Sequence, residues 1–261
     1  LKRLVPVTTS AGTLQLGIIA DQLIAGYAVT IGPTLPGGTP YPIDAGGSAV
    51  LAYASRLYQF PLGVFGIAVA TAVFPALARA WAGGTDRAHN FAETIRHGVR
   101  LSLFIGLPAT VGLVVVGHNL CSVVFSSEAG KADEVVSVAH TLMGFSVAVW
   151  AYSLTHVFNK AFYAAGDTKL PMRVSIITIV CNVVLNLILM WPLAEAGLAW
   201  ATTITATGQC LALAWLASRR YATDGSGIFN PETRRGISMT LLGSVIMGCV
   251  LIAASLVLPL P

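Results

Sequence analysis

The sequence predicts an all-α polytopic membrane protein with about seven transmembrane helices, and three observations carry that prediction. Of 261 residues, 55% are hydrophobic and only 10% charged, with a mean hydropathy of +0.76, whereas soluble domains carry about 25% charged residues. Several apolar runs reach the roughly 20 residues that a helix needs to cross a bilayer. The basic residues gather in short clusters between alternate runs, as on the cytoplasmic side of membrane proteins. A nucleic-acid binder would gather them on one face instead. The net charge of +4 therefore implies no nucleic-acid partner.

The first run, Val5–Ile31, follows Lys2 and Arg3 and carries Asp21 in its middle. It begins too early and runs too long for the apolar core of a signal peptide. The second, Gly46–Trp81, exceeds the bilayer thickness, and Pro61 removes a backbone donor within it, which predicts a kink. Before the third run, Gly98–Gly117, the stretch Asp86–Arg96 repeats Ala88, Phe91, Ala92 and Ile95 at helical spacing. It reads either as an amphipathic helix on the inner membrane surface or as a polar linker. Val135–Ala165 is again longer than one crossing. Leu170–Leu193, Ala196–Ala217 and Gly236–Leu258 complete the seven, with Pro231 placed to start the last helix.

With seven spans, the basic clusters at 2–3, 79–100, 169–173 and 219–235 all fall on one side, and Lys131 is the basic residue of the opposite loops. The positive-inside rule then puts the N-terminus in the cytoplasm and the C-terminus outside. The chain starts at Leu1 and is expected to be a fragment or one half of a longer protein. Cys121, Cys181, Cys210 and Cys249 lack metal-ligand spacing, and the last three are expected to be buried packing residues.

Arg56 is the strongest individual candidate. An unpaired Arg near the middle of a membrane helix costs about 2.5 kcal/mol or more, so it should face an interior, a cavity or an anionic ligand. Its planar fork suits phosphate; the alternative is a structural Arg paired with Asp21 or with backbone carbonyls. Asp21 can bind a cation, relay a proton or neutralise Arg56. Asn182 and Asn186 lie four apart on one helical face, and Thr202 adds a hydroxyl. These oxygens suit a hard cation, or equally hydrogen bonds between helices. Gln59 and His156 either face a cavity or bond a neighbouring helix, and Lys160 is placed to snorkel to the interface. Gly63, Gly66, Gly197 and Gly208 read as hinges or as close-packing points. No His-Glu-x-x-His, Gly-x-Ser-x-Gly or P-loop motif is present, so neither catalytic residues nor a cofactor are expected.

From Arg56 to Ala68 the chain reads Arg-Leu-Tyr-Gln-Phe-Pro-Leu-Gly-Val-Phe-Gly-Ile-Ala. This string closely resembles a signature of the MurJ (MviN) lipid II flippases, members of the multidrug/oligosaccharidyl-lipid/polysaccharide exporter superfamily. The segment Phe162-Tyr-Ala-Ala-Gly-Asp167-Thr-Lys-Leu-Pro171 is similar to the same family, with Asp167 placed to cap the next helix. The resemblance implies the C-terminal lobe of a two-lobe flippase in the bacterial cytoplasmic (inner) membrane. Residues 1–220 would form its six-helix lobe, and residues 221–261 a cytoplasmic linker with one additional membrane helix.

The function so implied belongs to peptidoglycan and cell-wall biogenesis: moving lipid II, an undecaprenyl-pyrophosphate-linked precursor, from the inner to the outer leaflet by alternating access. The implied partners are lipid II or a related polyprenyl-pyrophosphate sugar, the missing N-terminal lobe and membrane lipids. Arg56, with Gln59 and His156, forms the expected substrate-binding set; Ser55 precedes Arg56 where the family often has Asp. Asp21, Asn182, Asn186 and Thr202 match the places of a sodium site in some members, with Asn186 standing where Asp can occur. Coupling to a sodium ion or a proton is expected accordingly. Three alternatives stand beside this reading: a flippase for another lipid-linked oligosaccharide, a drug exporter, and a nontransporting scaffold for cell-wall enzymes.

Overall fold

A computed structural model describes residues 17–84, 86–125, 132–221 and 227–257. Its elements are α1 (residues 17–25), α2 (Tyr27–Thr30), α3 (Gly47–Pro61), a π-helical segment (Leu62–Ile67), α4 (Ala68–Ala82), α5 (Arg87–Phe125), α6 (Ala132–Ser146), α7 (Val149–Ala164), α8 (Lys169–Tyr221) and α9 (Pro231–Val257). Among the described residues there are no β-strands. Four helices among the described residues are long and apolar enough to cross a membrane, or five if α6 and α7, bent by 40°, count as one span. α8, at 53 residues, is about twice the length of one crossing. Residues 5–16 of the expected first span lie outside the described residues, so the count of seven remains an expectation.

Pro61 does not break its helix. The chain passes directly into the π-helical segment, so that 47–82 runs as one span of 36 residues.

Ala194 divides α8, with φ 48° and ψ −127°. Gln209 donates to Ser175 at 3.0 Å, and Asn182 to Thr202 at 3.2 Å. The two arms therefore run antiparallel, as the separate fifth and sixth runs in the sequence require. Gly197 packs against the Leu189 backbone at this turn, so its role is close approach.

Within a bilayer, apolar burial gives little drive for helices to associate; close packing and hydrogen bonds do more. Gly106 of α5 illustrates this, since a Cβ added there would lie 3.2 Å from the Cα of Trp150 on α7. Large apolar residues such as Ile177, Val180 and Ile188 on α8, and Leu242 and Val250 on α9, point outward instead. Such a belt suits lipid. Cys181 and Cys249 lie on this outer surface, which corrects the expectation that both are buried; Cys210 is buried as expected.

The basic clusters at 79–100, 169–173 and 219–235 meet at one end of the bundle, and the one at 2–3 lies outside the described residues. Trp81, Phe91, Phe162 and Tyr221 form an aromatic cluster there, with Phe91 4.9 Å from Trp81 and 5.1 Å from Tyr221. The stretch 86–96 begins α5 itself, and Phe91, Ala92 and Ile95 are buried against protein. The expected surface helix is corrected accordingly: neighbouring helices, rather than lipid headgroups, cover its apolar face. Arg96, only 2% exposed, donates from Nε and Nη2 to the Gly227 carbonyl at 3.1 and 2.7 Å. That bond holds the start of the link to α9. Asn230 then caps α9 by accepting the Thr233 N–H at 2.8 Å, with Pro231 at the first helical position.

The Phe162–Lys169 turn follows from its residues. Gly166 adopts φ +79°, the Asp167 N–H reaches the Phe162 carbonyl, and the Gly166 N–H reaches that of Tyr163. This is a Schellman ending. Asp167 then accepts the Leu170 N–H at 3.3 Å and pairs with Arg220 at 2.6 Å.

Candidate functional site

Four polar residues far apart in sequence converge inside the bundle. Asn186 donates to Asp21 Oδ1 at 2.6 Å and to Asn182 Oδ1 at 3.3 Å. The Thr202 hydroxyl lies 3.3 Å from Asp21 Oδ2. Asn182 bridges to Thr202 and, at 3.4 Å, to Thr205. Asp21, Asn182 and Asn186 are buried. α1 supplies the carboxylate, the first arm of α8 both amides, and the second arm the hydroxyls. Tyr41, from the Gly- and Pro-rich loop after α2, steadies α1 by donating to the Ile24 carbonyl at 2.8 Å.

Two features of this cluster suit a hard cation. No basic side chain neutralises Asp21 among the described residues, and Asn186 Oδ1 is buried without a hydrogen-bond partner. An orphan acceptor beside a buried carboxylate is costly unless something positive reaches it. All the donors are oxygens, the ligand type that hard cations take. No group of three His, Cys, Asp or Glu side chains poised for a metal occurs among the described residues.

The Arg56–Asp21 pair, the alternative reading of the arginine, does not form. Arg56 is exposed and has no ion-pair or hydrogen-bond partner among the described residues. Gln59, one turn further along α3, and His156 on α7 instead line a cavity of about 400 Å³ that includes Asp21, Asn182 and Thr202. Arg56 is not part of that lining. Lys160 lies 5.4 Å from the centre of the Phe74 ring.

Sequence reasoning missed Thr205, Ser175 and Gln209, which also line the cavity. Their signal was spacing: Ser175, Asn182 and Asn186 share a face of one arm, and Thr202, Thr205 and Gln209 a face of the other. Tyr58 was missed too. Its ring stacks on Phe145 at 4.7 Å and forms part of the cavity wall.

Comparison with known proteins places this geometry in context. A family model described as "Lipid II flippase MurJ" matches residues 1–258. The probable lipid II flippase MurJ of Vibrio cholerae is 32% identical over 203 residues, 78% of this chain and 35% of its own length. That of Haemophilus influenzae is 28% identical over 251 residues, 95% of this chain and 45% of its own. A solved structure of lipid II flippase MurJ in an inward closed conformation superposes with a TM-score of 0.74 at 21% identity, covering 94% of this chain and 45% of that one. A MOP superfamily transporter from Pyrococcus furiosus gives 0.63 at 18% identity, covering 95% and 52%. These two structures share the fold. The chain thus spans between about a third and a half of the proteins it matches.

Proposed function

The chain belongs to the MurJ lipid II flippase family, and from that premise we propose that it is the C-terminal lobe of a flippase carrying lipid II from the inner to the outer leaflet. It is a helical membrane protein of a transporter family. The observation that carries the reading is Arg56: exposed on α3 and without a partner among the described residues. A guanidinium on that surface would be strongly disfavoured against lipid tails. An N-terminal lobe facing it would enclose a polar cleft, in which Arg56 grips the pyrophosphate by its two-pronged fork. Gln59 adjoins it to bond the headgroup, and His156 lies deeper, in the cavity that Gln59 lines. The polyprenyl tail stays in lipid while the two lobes rock and expose the headgroup to the other side.

In this reading residues 1–220 form the lobe and 221–261 the linker and additional helix, in the inner membrane, with this chain's N-terminus cytoplasmic. The gathering of basic residues at one end supports that orientation. Asp21, Asn182, Asn186 and Thr202 would hold a monovalent cation such as sodium, for which the orphaned Asn186 oxygen and the unneutralised carboxylate are suited. When bound, such an ion supplies a charge whose movement through the membrane potential is worth about 2.3 kcal/mol per 100 mV.

The test is to express this chain with an N-terminal flippase lobe in cells depleted of their own lipid II flippase, and to measure lipid II exposed outside. Rescue by the unaltered chain, lost in Arg56→Ala at equal expression, supports both the flippase reading and the headgroup role. Equal rescue by both removes Arg56 from the mechanism. No rescue despite correct insertion favours another lipid-linked substrate, a drug or a scaffold role.

A further inference from the structure

The cavity of about 400 Å³ has a buried floor and an exposed rim. On its floor lie Asp21, Asn182 and Thr205, all buried. At its rim lie Ile18, Gln59, Gly63 and Ile67, all exposed. Gln59 and Gly63 follow Arg56 at successive helical turns, so the rim adjoins the face that carries the arginine. Deeper along α8, the buried Gln209–Ser175 hydrogen bond ties the two arms together.

Gly63 is the notable rim residue. A Cβ built there meets no heavy atom within 4 Å, whereas one built at Gly66, three residues on, would lie 2.9 Å from Ser153 Oγ. Close packing therefore explains Gly66 and leaves Gly63 unexplained. The lining has one acidic side chain, Asp21, and neither Lys nor Arg. Thr178, Ser175 and Gln209 add hydroxyl and amide groups to the lining. At about 30 Å³ per water, the space holds roughly a dozen waters, enough for an ion to shed its hydration in steps.

We propose that this cavity is the vestibule through which a cation reaches Asp21, that it opens onto the Arg56 face, and that Gly63 keeps its mouth clear. The inference rests on the cation reading of the Asp21 cluster given above. It adds the route, a gating residue and the consequence that the cation exchanges with the same cleft in which the headgroup is held.

The experiment uses the complete flippase carrying this lobe, reconstituted in nanodiscs, and follows binding and release of radiolabelled sodium. Gly63→Cys is reacted with a bulky methanethiosulfonate reagent and compared with the same protein before reaction. The parent protein, which keeps the four native cysteines of this chain, is treated in parallel. Modification should slow both uptake and release about tenfold, leave equilibrium affinity unchanged, and be reversed by dithiothreitol, while the treated parent is unaffected. Because the plug is added to folded protein, a folding defect cannot mimic this result. A modified protein that exchanges at the unmodified rate, or an introduced thiol that does not react, overturns the vestibule. Asp21→Asn separates the two readings. Loss of binding in that variant upholds the cation site whatever the Gly63 result. Binding retained there, or absent from the parent, overturns the site and the vestibule with it.

Discussion

Asn186 donates to Asp21 across 2.6 Å, joining α1 to the first arm of α8 through residues 165 positions apart in the chain. Replacing that amide by a carboxylate puts two like charges in hydrogen-bond contact, an arrangement that is unfavourable unless a proton or cation lies between them. Asn186→Asp should therefore be less stable than the parent in sodium-free buffer and gain more from added sodium. An affinity about tenfold tighter is expected from the extra ligand charge. Thermal unfolding in detergent across a sodium series, with potassium balancing ionic strength, measures both effects.

Arg56 is exposed and makes no bond within the lobe that its loss would break. Arg56→Ala should thus leave thermal stability within about 0.5 kcal/mol while abolishing lipid II exposure. Arg56→Lys should recover only part of the transport, because an ammonium lacks the fork that meets two phosphate oxygens. A large stability loss in either variant would mean that Arg56 has a structural role.

Arg96 is buried where its guanidinium holds the Gly227 carbonyl through two donors and meets Glu93 at 3.3 Å. Arg96→Met should cost about 1–3 kcal/mol, since it leaves the Gly227 carbonyl without its donors, while Glu93 keeps Arg100 at 2.9 Å. Glu93→Gln should cost under about 1 kcal/mol because Glu93 is 41% exposed. Limited proteolysis should cut between α8 and α9 faster in Arg96→Met alone.

Gly66 and Gly63 have opposite surroundings, although both lie in the π-helical segment. A Cβ at Gly66 would also come within 3.0 Å of Leu62 Cδ1. Gly66→Leu should then lose about 1–3 kcal/mol through overpacking against α7, and Gly63→Leu should unfold close to the parent temperature. Equal losses would show that the segment tolerates no side chain at either position.

Asp167 serves two partners and Arg220 one. Arg220 is 54% exposed, so Arg220→Ala should cost under about 1 kcal/mol. Asp167→Ala also removes the acceptor at the start of α8 and should cost about 1–2 kcal/mol. Chemical denaturation of the two variants in the same detergent gives the order.

Much of this architecture was legible in the sequence because a bilayer imposes simple local conditions. Apolar run lengths located the described spans, and the charge clusters at 79–100, 169–173 and 219–235 gathered at one end as their spacing implied. Asp21, Asn182, Asn186 and Thr202 were named together beforehand, the amides through helical periodicity and the full set through family resemblance. The errors came where local pattern is ambiguous. The apolar face of 86–96 suits lipid headgroups or other helices equally well, and the apolar surroundings of Cys181 and Cys249 do not distinguish lipid from protein.

By itself, the sequence determined that the chain is helical, membrane-spanning and furnished with an arginine and a carboxylate in apolar runs, since these depend on composition and periodicity along one helix. Only the tertiary structure decided that the two charges stay apart: Asp21 meets the amides of α8, while Arg56 looks out from α3. It likewise decided that Gly66 is packed and Gly63 open. Which face of a helix meets which neighbour depends on how the helices cross, and that depends on small-residue contacts and hydrogen bonds between segments far apart in the chain.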